Sequence, residues 1–148
     1  MSGPSALPDA LRGAQHGGMW VDERGSEVLS RPECRRLLAL GASQHLAGHL
    51  GIAEQGAPSV LPVDYEVDGP WVVVRVGDRL FGRLVGQLVA FEVDGQDETG
   101  SWSVLVKGLA KAGEGARRVP SPRVRRPGAR LVRIRPDVLT GRRVGEGA

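Results

Sequence analysis

The sequence predicts a mainly β fold of antiparallel strands, and three observations within residues 48–94 carry that prediction. Short apolar runs at residues 50–53, 59–67 and 71–76 are separated by the turn signals Glu54-Gln55-Gly56-Ala57-Pro58 and Asp68-Gly69-Pro70, the spacing of an up-and-down β-meander. Val72, Val73, Val74 and Val76 are β-branched and suit a pleated, buried surface better than a helix. In Val89-Ala90-Phe91-Glu92-Val93-Asp94 the large apolar residues alternate with small or acidic ones, so one face of that strand is buried and the other wet.

A chain of 148 residues suits one domain with a real core and is too short for two ordinary ones. Residues 1–25 carry Gly, Pro, Ser and scattered charges without a period and read as a mobile arm, leaving a domain over residues 26–144 and a tail at 145–148. Met19-Trp20-Val21 is the arm's apolar cluster and is expected to dock on the domain. No apolar run approaches the roughly 18 residues of a membrane span, and the N-terminus lacks the basic and apolar regions of a secretory signal, so a cytoplasmic protein is expected. The single cysteine, Cys34, agrees with a reducing compartment.

Eighteen Arg, two Lys and no Asn reflect a GC-rich coding bias, which weakens arginine richness as evidence for a nucleic-acid partner. Its distribution says more. Between Arg117 and Arg143 ten arginines face one acid, Asp137, for a local charge of +9, while the rest of the chain is net negative. Such a segment suits a polyanion, a phosphate-bearing cofactor, a partner's acidic face or plain solvation.

Taken in order, Ser30-Arg31-Pro32-Glu33 has the form of a capping box and predicts a helix start, with Cys34, Leu37, Leu38 and Gly41 on its buried face and Gly41 as its stop. Cys34 is thus expected to be a packed core thiol. His45 and His49 would share an ion on a helix, but on a strand they stand ~13 Å apart, and no Cys or acid close in sequence completes a set. Residues 78–86 suit a short helix covering one end of the fold, and residues 100–112 a long fifth strand. A loop over 113–128 follows, and a last strand over 130–135, basic on its outer face, ends at Pro136.

Several of these segments resemble, in order, the flavin-binding split-barrel family related to pyridoxamine 5'-phosphate oxidase, especially its small actinobacterial members. They are Gly48-His49-Leu50 leading to Glu54-Gln55-Gly56, Val60-Leu61-Pro62-Val63-Asp64-Tyr65, Asp68-Gly69, Val89-Ala90-Phe91-Glu92-Val93-Asp94, Trp102-Ser103-Val104-Leu105-Val106-Lys107-Gly108 and Val132-Arg133-Ile134-Arg135-Pro136-Asp137. The resemblance runs over residues 30–144 and implies a six-stranded antiparallel split β-barrel of Greek-key type with one or two short helices. It also implies a homodimer holding flavin mononucleotide (FMN) between subunits, with a deazaflavin of the F420 type as the alternative. Carried over residue by residue, it assigns main-chain groups of Val60, Leu61, Pro62 and Val63 to the flavin ring, and the turn holding Arg75, Val76 and Arg79 to the phosphate. Trp102, Ser103 and Arg133 complete the cofactor set; His49 stands where relatives often have Arg, and a hydrogen bond at the end of the first strand is expected of it.

The chain departs from the family pattern inside that site. Where small relatives have Arg-Thr and Ser-Lys-Leu, it has Arg75-Val76-Gly77-Asp78-Arg79-Leu80. Val76 removes a hydroxyl, Asp78 sets a negative charge where a dianion would lie, and Leu131 replaces an aromatic. This is the pattern of a degraded phosphate site; the alternative is that Arg75 and Arg79 pair with surface acids such as Asp78 and Glu92. No glycine-rich phosphate loop, nucleophile elbow or zinc pair is present, so catalysis falls to a cofactor and no catalytic side chain is assigned. Three functions stay open: a flavin or deazaflavin oxidoreductase, a cofactor-free binding or dimerisation module, and a nucleic-acid binder. The last ranks lowest, because no aromatic follows Trp102 to stack on bases.

Overall fold

The computed structural model describes residues 15–16, 19–21, 25–113 and 129–145. Its elements are β1 (Gln15–His16), β2 (Met19–Val21), β3 (Glu27–Val28), α1 (Arg31–Ser43), β4 (Gly48–Glu54), β5 (Ala57–Val63), β6 (Tyr65–Asp68), β7 (Trp71–Val76), α2 (Asp78–Leu84), β8 (Leu88–Asp97), β9 (Gly100–Ala112), β10 (Arg130–Ile134) and β11 (Val138–Val144). All their pairings are antiparallel. Among the described residues no helix is long and apolar enough to cross a membrane.

The six strands expected from the sequence form one curled sheet. β4 pairs with β8, β8 with β9, β9 with β10, and β10 with β7. β7 pairs with β6, and the chain runs from β5 through Asp64 into β6, so β5, which pairs with β4, brings the path back to its start. The run read as one strand over residues 59–67 is therefore bent at Asp64, its first half on β4 and its second on β7. Alternation continues across the bend: Val63 and Tyr65 face the core while Val60 and Pro62 face out.

The sheet extends past these six strands in two further features. β11 pairs along the first half of β9, from Val138 opposite Lys107 to Val144 opposite Ser101. Beyond it β3, β2 and β1 widen the sheet, so Met19–Val21 of the arm docks as a strand, with Trp20 opposite Val28. The loop expected over 113–128 lies outside the described residues apart from Gly113.

α1 begins as the capping pattern requires, with Ser30 Oγ accepting from the Glu33 amide at 3.3 Å. Glu33 does not reach back to close the box; its carboxylate takes Arg36 at 2.6 and 2.9 Å. The helix also runs two residues past Gly41. It ends in a Schellman turn in which His45, at φ 59°, occupies the left-handed position, His45 N–H donates to Ala42 C=O (3.1 Å) and Leu46 N–H to Gly41 C=O (2.9 Å). Gly41 is inside the helix for packing, since a Cβ there would collide with the Tyr65 hydroxyl. That hydroxyl donates to Leu38 C=O at 2.7 Å, and the Tyr65 ring meets Phe91 edge-on at 4.9 Å. Cys34, Leu37, Leu50, Tyr65, Val74, Phe91, Val93, Val104, Val106 and Ile134 form the closed centre of an aliphatic core. As expected, Cys34 is a packed thiol, and burial pushes its pKa up to about 11.

Candidate functional site

β5 is an edge strand, pairing with β4 alone among the described residues. The β4–β5 connection is a two-residue turn, with Gln55 at φ 47° and Gly56 at φ 80° between the paired residues Glu54 and Ala57, the geometry of type I′. Such a turn closes on a hydrogen-bonded pair, and hydrogen-bonded and open pairs then alternate. Ala57, Ser59, Leu61 and Val63 therefore turn their main-chain groups to β4, and Pro58, Val60 and Pro62 turn theirs away from it. Proline has no N–H. Val60 thus supplies the one outward N–H between Pro58 and Pro62, and the two prolines keep the edge from pairing with another strand.

Beside this edge lies an open apolar groove of about 560 Å³ on the outer face of β5, β4, β8, β9 and β11. Cross-strand register builds it, with Val60 opposite Gly51, Gly51 opposite Ala90, Ala90 opposite Lys107 and Lys107 opposite Val138. Val60, Leu88 and Val138 are 67%, 77% and 44% exposed, unusual for aliphatic side chains that share one face. Gly51 and Ala90 keep the floor low.

Toward α2 the groove meets a polar pocket lined by Glu54, Ser59, Gly82, Arg83 and Gln87, and Ala53 and Ser59 line both. Arg83 Nη1 pairs with Glu54 Oε1 at 2.9 Å. Arg79 is exposed and precedes Arg83 by four residues, so both lie on one face of α2. Away from α2 the groove meets His49 and Glu92, directly opposite each other on β4 and β8 and lining a second hollow with Gly51, Val60 and Ala90. His49 Nδ1 lies 3.3 Å from Glu92 Oε2, close enough for charge attraction but without hydrogen-bond alignment. Burial and then Asp94 push the Glu92 pKa up, and together they outweigh the imidazole, which pulls it down.

The remaining residues assigned from sequence fall in other places. Arg75 and Arg133 face out from β7 and β10, away from the core on which Val72 and Val74 lie. Arg75 reaches Asp64 at 3.5 Å rather than Asp78 or Glu92, and the Arg133 guanidinium lies 4.5 Å over the Trp71 ring, with Lys111 Nζ at 5.9 Å. The Nε atoms of both arginines are buried without a hydrogen-bond partner. Val76 faces the core at 5% exposure, so a hydroxyl there would point inward. Trp102 is a core residue packed against Gly95 and Gly41, and Ser103 lies on the outer face between Asp94 and Arg142. Asp78 is exposed and pairs with Arg130 at 3.3 Å, whose guanidinium stacks on Phe81 at 3.9 Å.

Of the basic segment, Arg117, Arg118, Arg123, Arg125 and Arg126 lie outside the described residues. Arg143 is structural: it holds Asp97 at 2.6 Å and Glu33 at 3.4 Å, tying β11 to the β8–β9 turn and α1. Among the described residues no group of three His, Cys, Asp or Glu could hold a metal. Sequence reasoning missed Leu88, Lys107, Val138 and the His49–Glu92 pair as groove residues. Leu88 carried a signal, being an aliphatic residue on the wet register of β8.

The residues present fit a flavin. An apolar surface accepts a flat ring, a main-chain donor stands at its lip, and the exposed Arg79 on α2 offers a partner for phosphate.

The family model for pyridoxamine 5'-phosphate oxidase matches residues 30–143. Among curated proteins no sequence matches the chain. Among solved structures it is similar to the FAD binding protein from Mycobacterium smegmatis, at 26% identity and TM-score 0.61 over 80% of this chain and 98% of that one. A FAD-binding protein from Mesorhizobium loti matches at 18% identity and TM-score 0.63 over 81% and 99% of the two chains. The FAD and heme binding protein from Mycobacterium smegmatis matches at 16% identity and TM-score 0.58 over 80% and 72%.

Proposed function

Because the chain belongs to the pyridoxamine 5'-phosphate oxidase family, we propose that it is a flavin-binding oxidoreductase whose cofactor ring lies in the apolar groove beside Val60. The observation that carries this reading is the lone outward N–H of Val60 on a proline-bracketed edge at the lip of that groove. A bound flavin supplies hydride transfer. The protein's part is to donate the Val60 N–H to an acceptor on the ring, to shield one ring face with Gly51, Ala90, Leu88 and Val138, and to meet the phosphate with Arg79. FMN is the cofactor we assign, and FAD and a deazaflavin are its competitors, FAD because all three of these similar structures are FAD-binding proteins.

The reading includes a homodimer. Val60, Leu88 and Val138 are too exposed for a monomer's surface, and a second copy over the groove would shut water from the ring. Light scattering at micromolar concentration is expected to give a dimer, and a monomer would remove the shared site.

The test is absorption after desalting, followed by fluorescence titration with FMN, riboflavin, FAD and a deazaflavin. Arg79→Ala is expected to weaken FMN about tenfold and riboflavin hardly at all, the arithmetic of one lost charged contact at ~1.4 kcal/mol per tenfold. Asp78→Ser should tighten FMN by no more than about tenfold, since Asp78 is already paired with Arg130. If no flavin or deazaflavin binds and the dimer persists, the protein is a cofactor-free dimerisation module. If Arg79→Ala weakens FMN and riboflavin equally, the phosphate lies elsewhere.

A further inference from the structure

We propose that His49 and Glu92 are the proton-donating pair of the groove, and that the molecule reduced beside them is neutral and flat, a quinone or conjugated carbonyl compound whose oxygen takes the proton. The inference rests on the flavin reading above and adds to it a donor and a substrate class.

His49 and Glu92 are directly opposed on neighbouring strands, so the pleat sends both side chains to the groove face. They line a hollow that shares Gly51, Val60 and Ala90 with the apolar groove. His49 Nδ1 is shut from solvent and turned to Glu92, while 42% of its side chain stays exposed, leaving Nε2 to face a ligand. The imidazole thus faces a carboxylate across the ladder, with one nitrogen turned to it and the other free to give a proton. Around the pair stand Asp94, two residues along β8 on the same face, Lys107, opposite Ala90, and Pro62, opposite His49 and uncharged. Acid at one end, and Lys107 beside Asp137 at the other, leave no matched partner for a charged substrate; with the aliphatic lining covering one ring face, a neutral flat acceptor stacks on the face turned away from it.

The step balances as a two-electron reduction. The acceptor receives a hydride from reduced flavin, its carbonyl π pair moves onto oxygen, and that oxygen takes the proton from His49 Nε2. Glu92 stabilises the imidazolium before transfer, and His49 is neutral afterwards.

The experiment uses the full chain loaded with FMN, photoreduced without oxygen and mixed with a 1,4-naphthoquinone at one fixed pH. Wild-type reoxidation should slow in heavy water, because a proton moves in the step. His49→Gln should be about 100-fold slower, the usual weight of a positioned acid, and should lose most of that isotope effect. Glu92→Gln should slow reoxidation less than His49→Gln does, and Glu92→Asp should restore part of the rate. His49→Gln and Glu92→Gln should both bind FMN within twofold of wild type. A His49→Gln rate and isotope effect like the wild type would overturn the proposal and leave the flavin reading standing. So would loss of FMN binding in His49→Gln alone, which would make His49 a cofactor contact. If the wild type binds no flavin, the parent reading and this proposal fall together.

Discussion

The α1 end of the barrel and the β5–β4–β8 face are built from the same strands and have opposite characters. At the α1 end, Gly41, Gly95 and Gly141 let Tyr65, Trp102 and Cys34 approach so closely that a Cβ would collide or crowd at each position. Arg143 then clamps α1, β11 and the β8–β9 turn through Asp97 and Glu33. On the groove face small residues serve the opposite purpose: a Cβ at Gly51 would make an ordinary 3.5 Å contact with Ala90, so the low floor is open room. Glycine used for close packing marks where the fold is held, and glycine beside exposed aliphatics marks where something else is to be held.

The difference can be broken by mutation. Gly48 lies where a Cβ would strike the fully buried Phe91 ring, so Gly48→Val is expected to cost about 3 kcal/mol, read as a lower denaturant midpoint. Tyr65→Phe keeps the ring contact with Phe91 and loses the hydroxyl that donates to Leu38, for about 1 kcal/mol.

A smaller effect is visible in acid. Arg143, and then Thr99, hold the Asp97 pKa down to about 2. Because the folded value lies below the unfolded one, near 4, the stabilisation is full above about pH 4 and is lost as pH falls toward 2. Acid melting curves should show Arg143→Ala losing less stability than wild type across that window; an equal loss would mean that the clamp is not electrostatic. Smallest of all, Leu88→Ser on the groove face should change the stability of the single chain, measured at a concentration too low for copies to pair, by less than about 0.5 kcal/mol. A large loss there would make the groove part of the fold rather than a place for a ligand or partner.

The core was readable because alternation is a local signal: Val89, Phe91 and Val93, or Val72 and Val74, announce their inner face within a few residues. So was the turn at Gln55-Gly56. The bend at Asp64, the run of α1 past Gly41 and the strand Val138–Val144 were not, because each depends on a distant surface: β7, Tyr65 and β9 respectively. The candidate site was half legible. The Val60 strand stands at the groove, but Trp102 and Val76 face the core, and the groove itself is assembled from five strands whose register no short stretch of sequence reveals.

The central claim, that the Val60 N–H on a free strand edge anchors the cofactor, has a direct measurement. Val60→Pro removes that N–H at an outward position like those Pro58 and Pro62 already fill, and no ladder bond to β4 is lost. Val60→Ala keeps the N–H and trims the side chain. In an FMN titration, Val60→Ala should bind within a few-fold of wild type, and Val60→Pro should bind at least about tenfold more weakly at an unchanged melting temperature, the ~1.4 kcal/mol of one hydrogen bond to the ring. Equal affinities for the two variants would contradict the account.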